Sequence, residues 1–252
     1  NEVLDENMNL HPLKQQREVS RDLRQIGLGV MGFADMLIKM GIVYGSQESI
    51  DIIHLIGEVL VNSALQQSAL LAKEYGVFPR YNKDAVMSSP FFIQNANSYT
   101  KELVEKYGLR NSQILTIPPT GSVSTLVGCN NSIEPLFQIS YERKTESLHN
   151  DDAYYKVFAP IAKEYMEMYD IIDEKDLPNF FITTSDIKYK NRINVQSAWQ
   201  QYIDAAISST ANLPEETTAE EIMDLYMYAW EQGLKGITIY RDNCLRSGIL
   251  IT

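Results

Sequence analysis

Four short β-type runs, at about 114–117, 181–184, 209–212 and 236–240, are each separated from the next by a stretch with helical spacing. That alternation constrains the fold more than any other feature of the chain. A strand followed by a helix cannot turn straight back on itself, so successive strands lie parallel, with the helices packed on the sheet. The expected class is α/β with a largely parallel sheet. The helical stretches carry their own signals. Ile50, Ile53, Leu60, Val61, Ala64, Leu65 and Ala72 follow a 3.6-residue period behind Ser46, a residue suited to a helix N-cap. Gly76 and Pro79 close that helix, and Arg80 to Asn97 reads as loop before a short helix from Ser98 to Tyr107. Tyr154, Val157, Phe158, Ile161, Ala162, Tyr165, Met166 and Tyr169 form another stripe, as do Val195, Ala198, Trp199, Tyr202, Ile203 and Ala206. Thr218 and Glu221 have the spacing of a capping box ahead of Ile222, Leu225, Tyr226 and Ala229. Residues 1 to about 16 are polar and irregular, and Phe137 to Arg143 alternates weakly enough to be a strand, with a polar connecting loop from Arg143 to His149.

The first β-type run leads into the most chemically suggestive stretch. Ile114 to Ile117 meets Pro118 and Pro119, then Thr120, Gly121, Ser122, Val123 and Ser124. Prolines end the ladder, and a helix beginning near Val123 would leave its first N–H groups unpaired at the positive end of the macrodipole. Such a terminus accepts an anion, and the hydroxyls of Thr120, Ser122 and Ser124 are further donors. An ordinary capped strand-to-helix turn accounts for the same residues.

A second Gly-rich stretch, Gly27-Leu-Gly-Val-Met-Gly32, has the GxGxxG spacing of a dinucleotide-binding turn. A Rossmann turn requires an apolar strand directly before the first glycine. Here Glu18 to Gln25 is charged and helix-compatible, so Val19 to Met40 is expected to be helical. The glycines would then let a neighbouring element approach closely, and NAD binding is not expected.

Composition narrows the function classes. The 252 residues carry a formal charge of −11, which opposes a general nucleic-acid-binding surface. Cys129 and Cys244 stand far apart with no CxxC or Cys/His cluster, so neither a structural zinc site nor a disulfide framework is expected. There is no run of apolar residues long enough to span a membrane and no signal peptide, which points to a cytoplasmic protein without a membrane partner. The first residue is Asn1 rather than Met, as in a processed product or a piece of a longer polypeptide. His54, beside an apolar helix face, reads as a packed histidine rather than a ligand.

Four ordered segments then resemble one family. They are Arg24-Gln-Ile-Gly-Leu-Gly-Val-Met-Gly-Phe-Ala-Asp-Met-Leu-Ile-Lys-Met-Gly-Ile42; Pro119-Thr-Gly-Ser-Val-Ser124 with Gly128 and Ile133-Glu-Pro135; Tyr141-Glu-Arg-Lys-Thr-Glu-Ser-Leu148; and Gly233-Leu-Lys-Gly-Ile-Thr-Ile-Tyr-Arg-Asp242. Together they resemble the large chain of ribonucleotide reductases, closest to the adenosylcobalamin-dependent class II branch. The resemblance implies the C-terminal half of a ten-stranded α/β barrel, with residues 1–252 as a single domain. The upstream half would carry a finger loop with an Asn-x-Cys-x-Glu motif and the radical cysteine. That motif does not occur here, so no catalytic residue and no metal ligand is expected in this chain, and Cys129 and Cys244 take no catalytic role. By the same resemblance Thr120, Gly121, Ser122, Val123 and Ser124 hold the phosphates of a ribonucleotide, expected to be a diphosphate. The parent enzyme would make deoxyribonucleotides by thiyl-radical chemistry with adenosylcobalamin as cofactor. Thr238 and Ile239 stand where the two-subunit aerobic enzymes carry a tyrosine pair. The implied partners are the ribonucleotide, the N-terminal barrel half and a second copy in a homodimer. A non-catalytic assembly domain that needs a partner chain is the alternative.

Overall fold

In the computed structural model, residues 1–145 and 153–243 are described. Helices α1 (Glu2–Asn7), α2 (Lys14–Leu23), α3 (Phe33–Met40) and α4 (Gln47–Tyr75) come first in the chain. The short α5 (Lys83–Met87), α6 (Pro90–Asn95), α7 (Ser98–Tyr107) and α8 (Gly121–Val127) follow. Then come strands β1 (Ser140–Thr145) and β2 (Ala153–Phe158), helices α9 (Pro160–Met168) and α10 (Tyr189–Gln200), strand β3 (Thr210–Leu213), helix α11 (Ala219–Glu231) and strand β4 (Thr238–Arg241). The residues gather into two compact units, one of Asn1–Gly29, Asp51–Pro118 and Ala198–Ile207, the other of Val30–Ile50, Pro119–Ser197 and the residues after Ile207.

In the first unit, the Ile114–Ile117 run is paired in parallel on both sides. Leu28 bridges Leu115, and Ile117 bridges Ile207. Leu28 N–H donates to Ile114 O at 2.8 Å, and Thr116 N–H returns to Leu28 O at 3.0 Å. Asp204 fixes the start of the run, its two carboxylate oxygens each accepting one N–H, from Ile114 and Leu115, at 2.8 Å. Leu115 and Ile117 are fully buried, each stabilising the fold by about 2 kcal/mol relative to exposure. His54 is packed as expected, its Nδ1 lying 3.0 Å from the Tyr202 hydroxyl.

In the second unit, β3 and β4 pair in parallel from Thr210–Thr238 to Leu213–Arg241. Leu136 bridges Thr183, also in parallel. Beneath β3 and β4, Ile193 of α10 packs with Ala211, Leu213, Leu225 and Ala229. A second apolar cluster joins Ile38, Leu136, Ile161, Ala162 and Phe181. The capping box of α11 is present, with Thr218 and Glu221 exchanging side-chain to backbone bonds. All four expected β-type runs therefore take part in parallel pairing, and the class is α/β.

The structure corrects several local expectations. Val19 to Met40 is not one helix: α2 stops at Leu23, where Arg24 turns left-handed at φ +48° and its carbonyl is taken by the Asn111 side chain. Residues 26–28 are strand-like, and Gly29 is needed because a Cβ there would sit 2.2 Å from the Thr116 carbonyl oxygen. The close approach expected of these glycines is real, but it is made by extended backbone. The stripe from Tyr154 to Tyr169 divides at Pro160, a first-turn proline, into β2 and α9. β2 pairs antiparallel with β1, which reaches Thr145 where a loop was expected. The remainder of that loop and of the Tyr141–Leu148 segment lies outside the described residues, as does Cys244. The stripe at Val195–Ala206 is helical only to Gln200, beyond which Ala205 to Ile207 join the parallel pairing. The loop at 80–97 contains α5 and α6, and the irregular N-terminus contains α1, held by an Asp5–Arg24 ion pair at 2.5 Å.

Candidate functional site

After the prolines, Thr120 takes φ −122° and ψ 21° and becomes the N-cap of α8. The first intrahelical bond runs from Ser124 N–H to Thr120 O at 2.7 Å. Four N–H groups at such a terminus have no helical partner. That of Thr120 is taken by Asn131 Oδ1 at 2.8 Å. Among the described residues, those of Gly121, Ser122 and Val123 have none. No acidic side chain lies in the first turn of α8, and a Cβ on Gly121 would meet nothing within 4 Å. Three exposed N–H groups thus converge at the positive end of a helix, an arrangement that takes an anion in preference to a cation.

The three hydroxyls divide. Thr120 Oγ1 donates to Asn131 Oδ1 at 2.7 Å and accepts the Ser132 N–H at 2.8 Å. Ser124, buried, donates to Gly121 O at 3.0 Å, and Thr125 donates to the same oxygen at 2.8 Å. Ser122 alone keeps an exposed hydroxyl without a partner among the described residues. Gly128, at φ +78°, ends the helix, its N–H donating to Ser124 O at 2.8 Å. Val123, Leu126 and Val127 are exposed.

The segment that follows is anchored to α3. Asn130 N–H donates to Asp35 Oδ2 at 2.6 Å, and Asn130 O accepts the Gly32 N–H at 2.9 Å. Burial raises the Asp35 carboxyl above its ordinary value, against the opposing Asn130 N–H and Lys39, with Glu164 adding to the rise. Burial and then the Asp35 charge push the Cys129 thiol up, which leaves it protonated and unsuited to act as a nucleophile.

Ile133 and Glu134 continue into a buried charged cluster. Arg192 of α10 pairs with Glu134, bonds the Tyr44 hydroxyl, and donates to Ile133 O at 3.2 Å and Thr210 O at 3.3 Å. Tyr44 donates to Ile133 O at 2.7 Å, and Glu134 Oε1 accepts the Thr210 N–H at 3.1 Å. Burial lowers the Arg192 pKa, opposed by Tyr44, and raises that of the Tyr44 phenol. Removing one member of such a pair costs about 3–5 kcal/mol, so the cluster locks Ile133-Glu134 against β3. The sequence marked Glu134 and Asp35 only as members of family-like segments and gave no signal for Arg192 or Asn131; the partners of all four are brought in by the fold.

A cavity of about 840 Å³ opens at the C-terminal ends of the strand segments, lined by Phe137, Thr184, Asp186, Asn212, Pro214 and Asp242, among others. Carboxyl ends of parallel strands are where α/β proteins bind ligands. The Thr120–Ser124 loop is not part of its wall. Among the described residues there is no cluster of His, Cys, Asp and Glu able to hold a metal, and no helix is long and apolar enough to cross a membrane.

Parallel pairing with intervening helices defines an α/β protein, and its strand-Pro-Pro-loop-helix carries a turn whose first helical N–H groups have no partner among the described residues. The barrel-domain model of ribonucleotide reductases matches residues 1–240, and the chain belongs to that family. It is 32% identical over 251 residues to the vitamin B12-dependent ribonucleoside-diphosphate reductase of Thermoplasma acidophilum, covering 93% of this chain and 30% of that one. With the protein of the same description from Mycobacterium tuberculosis the identity is 29%, over 95% of this chain and 33% of the relative. The ribonucleoside-diphosphate reductase subunit alpha of Helicobacter pylori is 28% identical over 93% of this chain and 30% of the relative. The class Id ribonucleotide reductase alpha subunit of Actinobacillus ureae superposes with a TM-score of 0.72 at 21% identity, covering 96% of this chain and 44% of that one. The chain thus spans about a third of the length of the curated relatives it matches.

Proposed function

We propose that this chain is the C-terminal barrel segment of a ribonucleotide reductase that reduces ribonucleoside diphosphates, and that Thr120, Gly121, Ser122, Val123 and Ser124 form its substrate-phosphate loop. The observation that carries the proposal is the set of three N–H groups, on Gly121, Ser122 and Val123, that have no partner among the described residues, in a chain belonging to this family. Those N–H groups and the Ser122 hydroxyl bind phosphate oxygens, while Thr120 and Ser124 shape the turn. Anchoring the phosphates places the ribose at a fixed distance, which converts binding into orientation.

The radical cysteine belongs to the N-terminal barrel half, the partner of this segment, and the enzyme acts in the cytoplasm as a homodimer. Thr238 is exposed and Ile239 half-buried on β4, so that position offers no pair of oxidisable phenols. This fits a radical source bound beside the barrel, and relatives described as vitamin B12-dependent support adenosylcobalamin in that role. When bound, adenosylcobalamin supplies the oxidising equivalent; the residues here hold substrate. The 252-residue chain by itself is then catalytically inert.

Ser122→Asp tests the loop. A carboxylate in the first turn of α8 favours the helix by about 0.3–1 kcal/mol but repels a phosphate. In an amide-resolved NMR titration of the chain with ADP, the wild-type Gly121–Val123 signals shift and saturate, while the variant keeps its fold and loses the response. An unchanged ADP response in Ser122→Asp would overturn the loop assignment. An exposed apolar face on α8, at Val123, Leu126 and Val127, favours the second reading, an assembly domain that needs a partner chain. That reading predicts association with the upstream half and no ADP response at all.

A further inference from the structure

We infer that Asn131 is a positioning residue for the phosphate loop: one side-chain oxygen clasps both the N–H and the hydroxyl of Thr120 and so aims the next three N–H groups. The inference rests on the loop assignment proposed above.

Helix α8 has little else to hold it. It is seven residues long, well short of what is stable in isolation, and its apolar side chains Val123, Leu126 and Val127 are exposed. Its one buried residue, Ser124, spends its hydroxyl within the helix. The N-terminal direction is set instead by the bonds at Thr120, which number three: N–H to Asn131 Oδ1 at 2.8 Å, Oγ1–H to the same oxygen at 2.7 Å, and Ser132 N–H to Oγ1 at 2.8 Å. Behind Asn131 the backbone is fixed in turn. Asn130 N–H donates to Asp35, Gly32 N–H donates to Asn130 O, and Phe33 N–H donates to Ser132 O at 3.4 Å. A continuous set of hydrogen bonds therefore runs from the first turn of α3, through 130–132, to the N-cap of α8.

The clasp also decides which donors face a ligand. With its N–H and hydroxyl both engaged, Thr120 offers the anion neither, and the free donors begin at Gly121. Were Asn131 replaced by an apolar residue, those two groups would be released to compete for the phosphate or for water. The three aligned N–H groups would then be presented for only part of the time. Apparent affinity falls by the fraction of time the competent arrangement is populated.

The test is the same amide-resolved ADP titration of the chain, applied to Asn131→Leu, Thr120→Val, Thr120→Ser and the double variant Asn131→Leu/Thr120→Val. Two lost hydrogen bonds, at about 1 kcal/mol net each and partly recovered by water, predict about tenfold weaker ADP binding for Asn131→Leu and for Thr120→Val. Thr120→Ser keeps the hydroxyl and holds within about twofold of wild type, and the double variant is no weaker than the singles, because one clasp cannot be lost twice. Melting temperature falls by only a few degrees throughout, since about 1 kcal/mol is worth roughly 2–4 °C in a chain of this size. A purely structural role would lower the melting temperature of Asn131→Leu and Thr120→Val and leave the ADP affinity of the folded protein unchanged. Normal ADP affinity in Asn131→Leu overturns the inference, as does a loss confined to Thr120→Val, which would mean the hydroxyl touches phosphate directly. If Asn131→Leu does not fold, Asn131→Ala, which removes the same oxygen without added bulk, takes its place with the same two outcomes. If Ser122→Asp binds ADP normally, the loop assignment fails first and the inference with it; if Ser122→Asp fails to bind but Asn131→Leu binds normally, only the inference falls.

Discussion

Replacing Gly29 by alanine should be far more damaging than its exposed, Gly-rich surroundings suggest. A Cβ built at Gly29 lies 2.2 Å from the Thr116 carbonyl oxygen, 3.3 Å from its carbon and 3.5 Å from Ile117 Cα. Ordinary carbon–oxygen contacts between neighbouring strands are about 3.3–3.6 Å, so the methyl overlaps the oxygen by roughly 1 Å. The obstacle is backbone, which cannot rotate away as a side chain does. Relief requires residues 28–29 to separate from 115–117, which stretches the Thr116 N–H to Leu28 O bond of 3.0 Å. Overpacking costs about 1–3 kcal/mol and a weakened buried hydrogen bond about 1 kcal/mol. Alanine recovers about 0.4–1 kcal/mol by restricting the unfolded chain. The net expectation is about 2–3 kcal/mol of destabilisation, read as a fall of about 1 M in the urea midpoint for an m-value of roughly 2–3 kcal/mol/M. Gly121→Ala is the matched control, because a Cβ there meets nothing within 4 Å. Its midpoint should stay or rise slightly, alanine being the better helix former. Equal midpoints for Gly29→Ala and wild type would refute the steric account of the GxGxxG stretch.

Two further perturbations probe the segment behind the loop. Ser132 is buried, left-handed at φ +46°, and its hydroxyl has no partner among the described residues, so Ser132→Gly should stabilise the protein by about 1 kcal/mol; a fall in the urea midpoint would contradict this. Asp35 has a folded-state pKa raised by burial above its ordinary 3.8, so its contribution favours the fold below that value and is lost as pH rises through the raised one. Asp35→Asn, which keeps an oxygen for the Asn130 N–H, should therefore be more stable than wild type at pH 7, with the difference closing in acid. A pH-independent difference in urea midpoint would show that burial of the charge is not what Asp35 contributes.

The parts of this fold legible in the sequence were those whose cause is local. Thr218 and Glu221 make a capping box, Gly76 follows the last residue of α4, and α7 runs from Ser98 to Tyr107 with Gly108 after it, each through neighbours within a few residues. Long-range causes were not legible. Arg24 ends α2 because Asn111, far along the chain, takes its carbonyl. Helix α1 forms from a polar stretch because Asp5 finds Arg24 and Asn1 finds Asn111. Tyr154 to Phe158 satisfies a helical period and a strand equally well, and pairing with Ser140 to Thr145 decides for the strand. At the site, the order of prolines, glycine and hydroxyls was enough to suggest an anion-accepting turn. Which hydroxyls remain free was not, since that depends on Asn131 reaching back across a turn to Thr120.

The most direct test of the central claim is a structure of the protein with a ribonucleoside diphosphate bound. The account predicts phosphate oxygens at about 2.7–3.2 Å from the N–H groups of Gly121, Ser122 and Val123, with the Thr120–Asn131 bonds retained. Phosphates seated instead in the cavity beside Phe137, Asp186 and Asn212, with the three N–H groups still bare, would contradict it.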